Sequence, residues 1–163
     1  MAVTTQNSTE YAATLATPLV KASAVSNTGK LRTLAFSFNQ YGVGDAGSKI
    51  VLGKLPAGTV KIIGGLSRFY CNIVASSATI DIGWQAYEDT NGTTVAADPD
   101  GMVDGLDVDT VGYQTMEGNT AATKLLGGNH TFSSKDGVVI EITSVAALAD
   151  DDDVDGVISY IVS

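Results

Sequence analysis

The feature that most constrains the fold is a strict alternation of apolar and polar side chains in residues 33–38 and 79–87. The apolar positions are Leu34, Phe36, Phe38, Ile80, Ile82, Trp84 and Ala86. A side-chain period of two is typical of a half-buried β-strand, because successive side chains of a strand point to opposite faces. Trp84 is in phase with its apolar neighbours, so we expect it to pack in a core rather than stack on a ligand.

Several other apolar, β-branched runs also have the character of short strands, and turn residues separate them. These runs are residues 49–55, 59–74, 138–145 and 154–162. We therefore predict an all-β fold, a single β-sandwich, jelly-roll-like or small barrel domain of about seven or eight strands. The last two runs are predicted to pair as an antiparallel hairpin around the acidic turn at 148–153, and Gly64–Gly65 predicts a bulge or bend.

Residues 1–30 show neither helical nor strand periodicity, and we interpret them as an extended N-terminal arm preceding a β-sandwich domain at residues 31–163. Its apolar side chains are candidates for binding a neighbouring subunit: Tyr11, Leu15, Leu19 and Val20. Residues 96–130 are rich in Asp and Gly and have weak periodicity, and within them residues 119–126 are predicted to form a short helix. The opening residues lack the pattern of a signal peptide, and no apolar run approaches the ~20 residues of a membrane helix, so no membrane partner is expected.

Charge is distributed unevenly along the sequence. The net charge of −9 divides into about +5 for residues 1–80 and −14 for residues 81–163. Overall acidity argues against a nucleic-acid partner, which requires a cationic face. The basic stretch of residues 49–68 is a candidate for contact with an acidic partner surface. Its cations are Lys49, Lys54, Lys61 and Arg68. The alternative is that the two halves intermix in the fold and no charge separation survives.

Catalytic chemistry finds little support in the residues. The one histidine, His130, lies in a Gly-rich segment and is expected to be an exposed loop residue. The one cysteine, Cys71, is in phase with Phe69 and Ile73 and is expected to be a buried, inert thiol. No phosphate-binding loop, metalloprotease motif or standard zinc site is present. We therefore predict a protein that is not an enzyme and has no catalytic residue.

Two acidic clusters, residues 98–109 and 151–156, raise the question of calcium. Asp151, Asp153 and Asp155 have the D-x-D-x-D-G spacing that begins a calcium loop. Position 12 of such a loop would be Val162 instead of a bidentate glutamate, and a strand rather than a helix is expected to follow. We predict no cofactor, and keep Ca²⁺ at these three aspartates as the weaker alternative to a solvated acidic turn.

Two segments, KLPAGTVKIIGGLSR at 54–68 and IDIGWQAYEDTNGTTVAADPDGMVDGLDV at 80–108, together with a short hydrophobic strand containing a tyrosine near residue 160, resemble a group of small structural proteins of tailed bacteriophages. The resemblance covers roughly residues 30–163, in order. It implies a virion protein of the head decoration, or cement, type. Such a protein would bind the major capsid protein on the outside of the phage head as a homo-oligomer, a trimer, after synthesis in the cytoplasm of the bacterial host.

That resemblance implies stabilisation of the capsid through contacts between subunits, with the N-terminal arm latching neighbouring subunits and no catalytic residue. Two other functions stay open at this point. One is a β-sandwich module that binds a host surface or a glycan, with or without Ca²⁺, for which Tyr87 and Tyr113 are the aromatic candidates near the acidic segment. The other is a tail or fibre assembly subunit of the same particle.

Overall fold

A computed structural model of the protein describes residues 30–117 and 129–162. The predicted arm, including Tyr11, Leu15, Leu19 and Val20, and the predicted helix at 119–126 lie outside the described residues. The described chain forms twelve strands and one short 3₁₀ turn, Gly64–Leu66, and it is all-β. The strands are β1 Lys30–Asn39, β2 Lys49–Leu55, β3 Gly58–Ile62, β4 Arg68–Asn72, β5 Thr79–Trp84, β6 Tyr87–Glu88, β7 Thr94–Val95, β8 Asp98–Asp107, β9 Gly112–Thr115, β10 His130–Ser134, β11 Val138–Ser144 and β12 Asp153–Val162.

Sheet A contains six strands and is organised around β12. Along one side, β1 pairs with all ten residues of β12, from Lys30 opposite Val162 to Asn39 opposite Asp153. Along the other side, β3 and β4 pair with successive parts of β12 and are flanked by β10 and β9 respectively. Where the sequence predicted a bulge or a bend at Gly64–Gly65, a 3₁₀ turn interrupts this line of two strands within the same sheet.

Sheet B contains four antiparallel strands in the order β2-β11-β5-β8, and β6 and β7 form a separate two-stranded hairpin. Gly53 lies at a bulge where β2 pairs with β11. Its φ of 150° favours glycine, and a Cβ there would lie 2.9 Å from a methyl group of Leu34 on β1. This bulge therefore lets β2 and β1 approach closely where the two sheets meet.

Both sheets contribute to one hydrophobic core, as expected of a β-sandwich. Val60, Phe69 and Ile158 face it from sheet A, and Ile82 and Ile140 face it from sheet B. The phase predicted for β1 is confirmed, since Leu34, Phe36 and Phe38 pack against this core while the intervening side chains are exposed. Trp84 is 7% exposed, which confirms its predicted packing in the core.

The predicted hairpin between the last two strands is wrong. The first, β11, lies in sheet B between β2 and β5, whereas β12 is the central strand of sheet A. The loop between them crosses from one sheet to the other. Apolar strands adjacent in sequence have two ways to bury their faces, and here they lie in opposite layers of the sandwich.

The structure also has more strands than the seven or eight predicted. The acidic segment with weak periodicity contains β8, a ten-residue strand at the edge of sheet B, followed by β9. The register of β8 against β5 shifts twice, at Ile80/Ile82 and at Ile82/Trp84. These irregularities disrupt the alternation of side chains, so the sequence pattern could not reveal the strand.

Candidate interaction surfaces

Four loops lie at one end of the sandwich and carry apolar side chains into solvent. The loops are residues 40–48, 73–78, 108–111 and 145–152. Five of the nine large apolar side chains that are exposed among the described residues belong to them. These side chains, which we call the loop end, are Tyr41, Val43, Val74, Val111 and Val145, exposed by 96%, 80%, 68%, 48% and 51%.

Backbone hydrogen bonds hold these loops together. Gly44 and Leu148 exchange two such bonds, of 2.9 and 2.8 Å. The amide of Val145 donates to the carbonyl of Thr79 over 3.0 Å, and the amide of Val108 donates to Ala78 over 2.9 Å. The exposed side chains of the loop end therefore extend from a backbone that hydrogen bonds hold in a defined conformation.

Asp152 fastens the acidic turn to its neighbours. The side chain is buried, with 2% of the residue exposed, and it accepts hydrogen bonds from the amides of Val74 at 3.0 Å and Ala149 at 2.7 Å. The expectation of a wholly solvated acidic turn is wrong at this position. A carboxylate can accept hydrogen bonds from loop amides that have no partner in a sheet. This explains why one aspartate of the acidic turn is buried.

The three aspartates of the calcium motif point to different surroundings. Asp151 lies in the turn with a φ of 67°, Asp153 accepts a hydrogen bond of 3.2 Å from the side-chain amide of Asn72, and Asp155 lies on the outer face of β12. Within residues 30–117 and 129–162, no three His, Cys, Asp or Glu side chains are grouped as metal ligands. Calcium binding at these aspartates stays a prediction.

A second surface is a groove of about 340 Å³ on the outer face of sheet A. Two rows of side chains border it. In the first row, Tyr113 of β9 lies opposite Tyr70 of β4, which in turn lies opposite Asp155 of β12. In the second row, Arg68 lies opposite Val157. We call these five residues the tyrosine groove.

The two tyrosines of the groove form an edge-to-face pair, with ring centroids 5.4 Å apart and an angle of 66° between the rings. Tyr113 is nevertheless 83% exposed. Sequence reasoning singled out Tyr113 together with Tyr87, but Tyr87 packs against Phe132 with centroids 5.8 Å apart. Tyr70 was missed. Its signal was its phase in β4, opposite to that of the buried Phe69 and Cys71.

The basic stretch is divided between the two sheets. Lys49 and Lys54 lie on β2 in sheet B, whereas Lys61 lies on β3 and Arg68 on β4 in sheet A. Lys49 forms an ion pair with Glu141, a residue of the acidic half of the sequence. The two halves therefore intermix in the fold. Partner binding by these four cations stays a prediction, and it would involve two separate surfaces.

Glu141 is the charged group most enclosed by sheet B, with 1% of the residue exposed. It also accepts a hydrogen bond of 2.8 Å from the side-chain amide of Gln85. Burial raises the pKa of Glu141. The hydrogen bonds from Lys49 and Gln85 and the charge of Lys49 lower it by a larger amount together, so the net shift of the pKa is downward. The negative charge of Glu141 is thus compensated by Lys49 and Gln85, which gives this carboxylate a structural role.

His130 is not the exposed loop residue that its Gly-rich context predicted. It begins β10 and is half-buried, with its ring 4.4 Å from those of both Trp84 and Phe132, measured between centroids. Burial lowers the pKa of His130. The alternation of His130 with Phe132 and Ser134 was the signal that identifies β10.

Cys71 is fully buried in β4, as predicted. Burial, and secondarily the negative charge of Asp153, raise the pKa of this thiol to about 12. A thiol with such a pKa is not ionised near neutral pH and is a poor nucleophile. The ring of His130 contacts the aromatic rings of Trp84 and Phe132. In the described part of the chain, no helix is long and apolar enough to cross a membrane.

No protein-family model matches the chain, and no curated protein matches it. Among solved structures, an infectious bursal disease virus VP2 subviral particle is similar with a TM-score of 0.47 and 12% identity, over 83% of this chain and 33% of that chain. The acid-stable capsid of Helicobacter pylori bacteriophage KHP30 is similar with a TM-score of 0.36 and 13% identity, over 83% of this chain and 90% of that chain. The chain thus spans about a third of the length of the VP2 protein. Similarities at this level do not identify a function.

Proposed function

We propose that this protein is a non-enzymatic structural subunit of a tailed-bacteriophage particle, a decoration protein that binds the major capsid protein on the outside of the head. The observation that carries the proposal is the loop end. Large apolar side chains exposed together mark a surface that another molecule covers, because water contact with apolar area costs free energy. The phage resemblance of residues 54–68 and 80–108 supports the choice of the capsid as the covering partner.

The composition of the loop end supports a protein partner. Tyr41 and Val43 supply apolar contact area, and exposed carboxylates of Asp45, Asp150 and Asp151 lie in the same loops. An apolar centre with a charged rim is the usual arrangement of a protein interface. We infer that the shell surface facing the loop end is apolar with basic groups at its margin, since the rim of the loop end is acidic.

Binding of this kind stabilises a shell by mass action. A subunit that binds only the assembled shell lowers the free energy of that state relative to its separated parts. In the proposal the protein is a trimer, and residues 1–30 bind a neighbouring subunit through Tyr11, Leu15, Leu19 and Val20. Each trimer would then bind through three copies of the loop end, which raises avidity without new kinds of contact.

Co-sedimentation with purified heads tests the proposal. A Tyr41→Ser/Val43→Ser variant should lose at least about ten-fold in affinity for the shell, since each buried apolar side chain contributes roughly 1.5–3 kcal/mol. Val51→Ser is the matched control, because Val51 is 59% exposed but lies on β2 of sheet B, outside the loop end. Equal binding by both variants would overturn the role of the loop end.

The same sedimentation distinguishes the other virion functions. A chain that pellets only with tails is a tail or fibre subunit, and one that pellets only with host cells is an adhesion module. Either result contradicts a decoration protein. Light scattering at several protein concentrations tests the oligomer, and a monomer at every concentration contradicts the trimer.

A further inference from the structure

We propose that the tyrosine groove binds a neutral carbohydrate, a hexose or N-acetylhexosamine unit at the surface of a larger glycan. The site lies on the outer face of sheet A and consists of Arg68, Tyr70, Tyr113, Asp155 and Val157. It adjoins the loop end, because Tyr113 is two residues from Val111, but none of its five residues belongs to the loop end. The inference adds a ligand to the protein and does not depend on the decoration function.

The first requirement of a sugar site is an accessible aromatic surface held in one orientation. A pyranose ring has an apolar face of C–H groups that packs on an aromatic ring. Tyr113 offers such a ring with 83% of the residue exposed, while the edge-to-face contact with Tyr70 limits its rotation. Unlike the aliphatic residues of the loop end, a tyrosine also has a hydroxyl group that can donate to or accept from a sugar hydroxyl.

The second requirement is a set of polar groups around the aromatic ring that can bind hydroxyls. Asp155 is exposed beside Tyr70 and can accept two hydrogen bonds, and Arg68 is exposed in the next row and can only donate. A sugar hydroxyl both donates and accepts, so one acidic and one basic side chain satisfy it better than two groups of one sign. Val157 adds apolar surface to the second row.

The size and charge of the groove limit its occupant. A volume of 340 Å³ is near the lower end of ligand pockets, which suits one or two sugar rings and excludes a large cofactor. The opposite charges of Arg68 and Asp155 offset each other, so the groove does not favour a phosphate or nucleic-acid backbone, which requires a cationic site. The floor is a paired β-sheet, and the site is consequently preformed.

Titration calorimetry and NMR with a panel of glucose, galactose, N-acetylglucosamine and the β-linked disaccharides of each test the inference on the full chain. We expect saturable binding of at least one member, and a loss of at least ten-fold in affinity for Tyr113→Ala and for Asp155→Asn. Tyr41→Ala is the matched control, because Tyr41 is 96% exposed but belongs to the loop end. It should bind the sugar as the unchanged protein does.

The melting temperature of each variant shows that it is folded, and both groove residues are exposed enough for it to stay constant. If no member of the panel binds, or if Tyr41→Ala loses as much as Tyr113→Ala, the inference is wrong. If Tyr113→Ala instead releases the protein from phage heads, the groove is part of a protein interface and the carbohydrate is excluded. Shell binding retained by Tyr113→Ala together with lost sugar binding separates the two functions.

Discussion

Replacing Phe132 with alanine tests how far the aromatic cluster at the junction of the two sheets stabilises the fold. Phe132 lies on β10 and is fully buried. Its ring centroid is 5.2 Å from that of Trp84, 5.8 Å from that of Tyr87 and 4.4 Å from that of His130. The truncation therefore removes three ring contacts and leaves a cavity that strands of both sheets enclose.

Phe→Ala substitutions in cores cost about 3–5 kcal/mol, and each aromatic pair adds about 0.5–1.5 kcal/mol beyond the buried area. We expect a loss of about 4 kcal/mol, a large part of the roughly 5–15 kcal/mol that stabilises a typical domain. With a urea m-value of about 2 kcal/mol per molar, the unfolding midpoint should fall by about 2 M. The assay is urea unfolding followed by circular dichroism and by the fluorescence of Trp84, the one tryptophan, at a fixed protein concentration.

Phe38→Ala is the matched control, because Phe38 is only half-buried on β1, at the edge of sheet A, and we expect about half the loss. If the first variant does not fold, Phe132→Leu keeps most of the volume and should cost about 1–2 kcal/mol through the lost ring contacts. A loss below about 1 kcal/mol for Phe132→Ala, or equal losses at the two positions, would refute the reasoning.

Three further predictions concern single side chains. Asp152→Ala should destabilise the fold by about 1–3 kcal/mol because two loop amides lose their acceptor, whereas Asp151→Asn should be nearly neutral. Thermal melts of the two variants compare these effects. A shift of the melting temperature of the unchanged protein by a chelator would indicate bound calcium. Stability should decrease as the pH falls through the range below about 6.5, because burial lowers the pKa of His130 and the unfolded state then binds the extra proton. The variant His130→Phe should lose that part of the slope in urea midpoints, and an unchanged slope would contradict it. Cys71 should react with a thiol reagent only after denaturant is added, and rapid labelling of the native protein would show that β4 opens.

The sequence predicted those parts of the fold in which one face of a strand is buried and the other solvated. Phe36 and Ile82 follow this pattern, and the phase of each was predicted correctly. It did not predict which strands are neighbours, because apolar alternation specifies a face without specifying a partner. The pairing of β1 with β12 joins residues more than a hundred positions apart, and no local signal encodes it.

The interaction surfaces were predictable only in part. The exposure of Tyr113 was within reach because it follows Gly112 in a polar segment, but its neighbour Tyr70 becomes recognisable only when β9 is placed beside β4. Tyr41 and Val43 lie in a Gly-rich segment, and nothing in their spacing shows that loop 145–152 lies against that segment. A surface assembled from distant loops has no sequence period.

The central position of β12 determines when this protein is able to fold. β1, β3 and β4 all precede β12 in the chain, and each of them forms its ladder with it. During synthesis these three strands leave the ribosome before the strand that joins them. Until β12 is made, their apolar faces cannot be buried in the complete sheet. Sheet A therefore forms after translation has passed residue 162, in a step dominated by long-range contacts, which are slow to form. A cell that produces many copies at once would therefore hold a population of chains with unpaired strand edges, which are prone to aggregation.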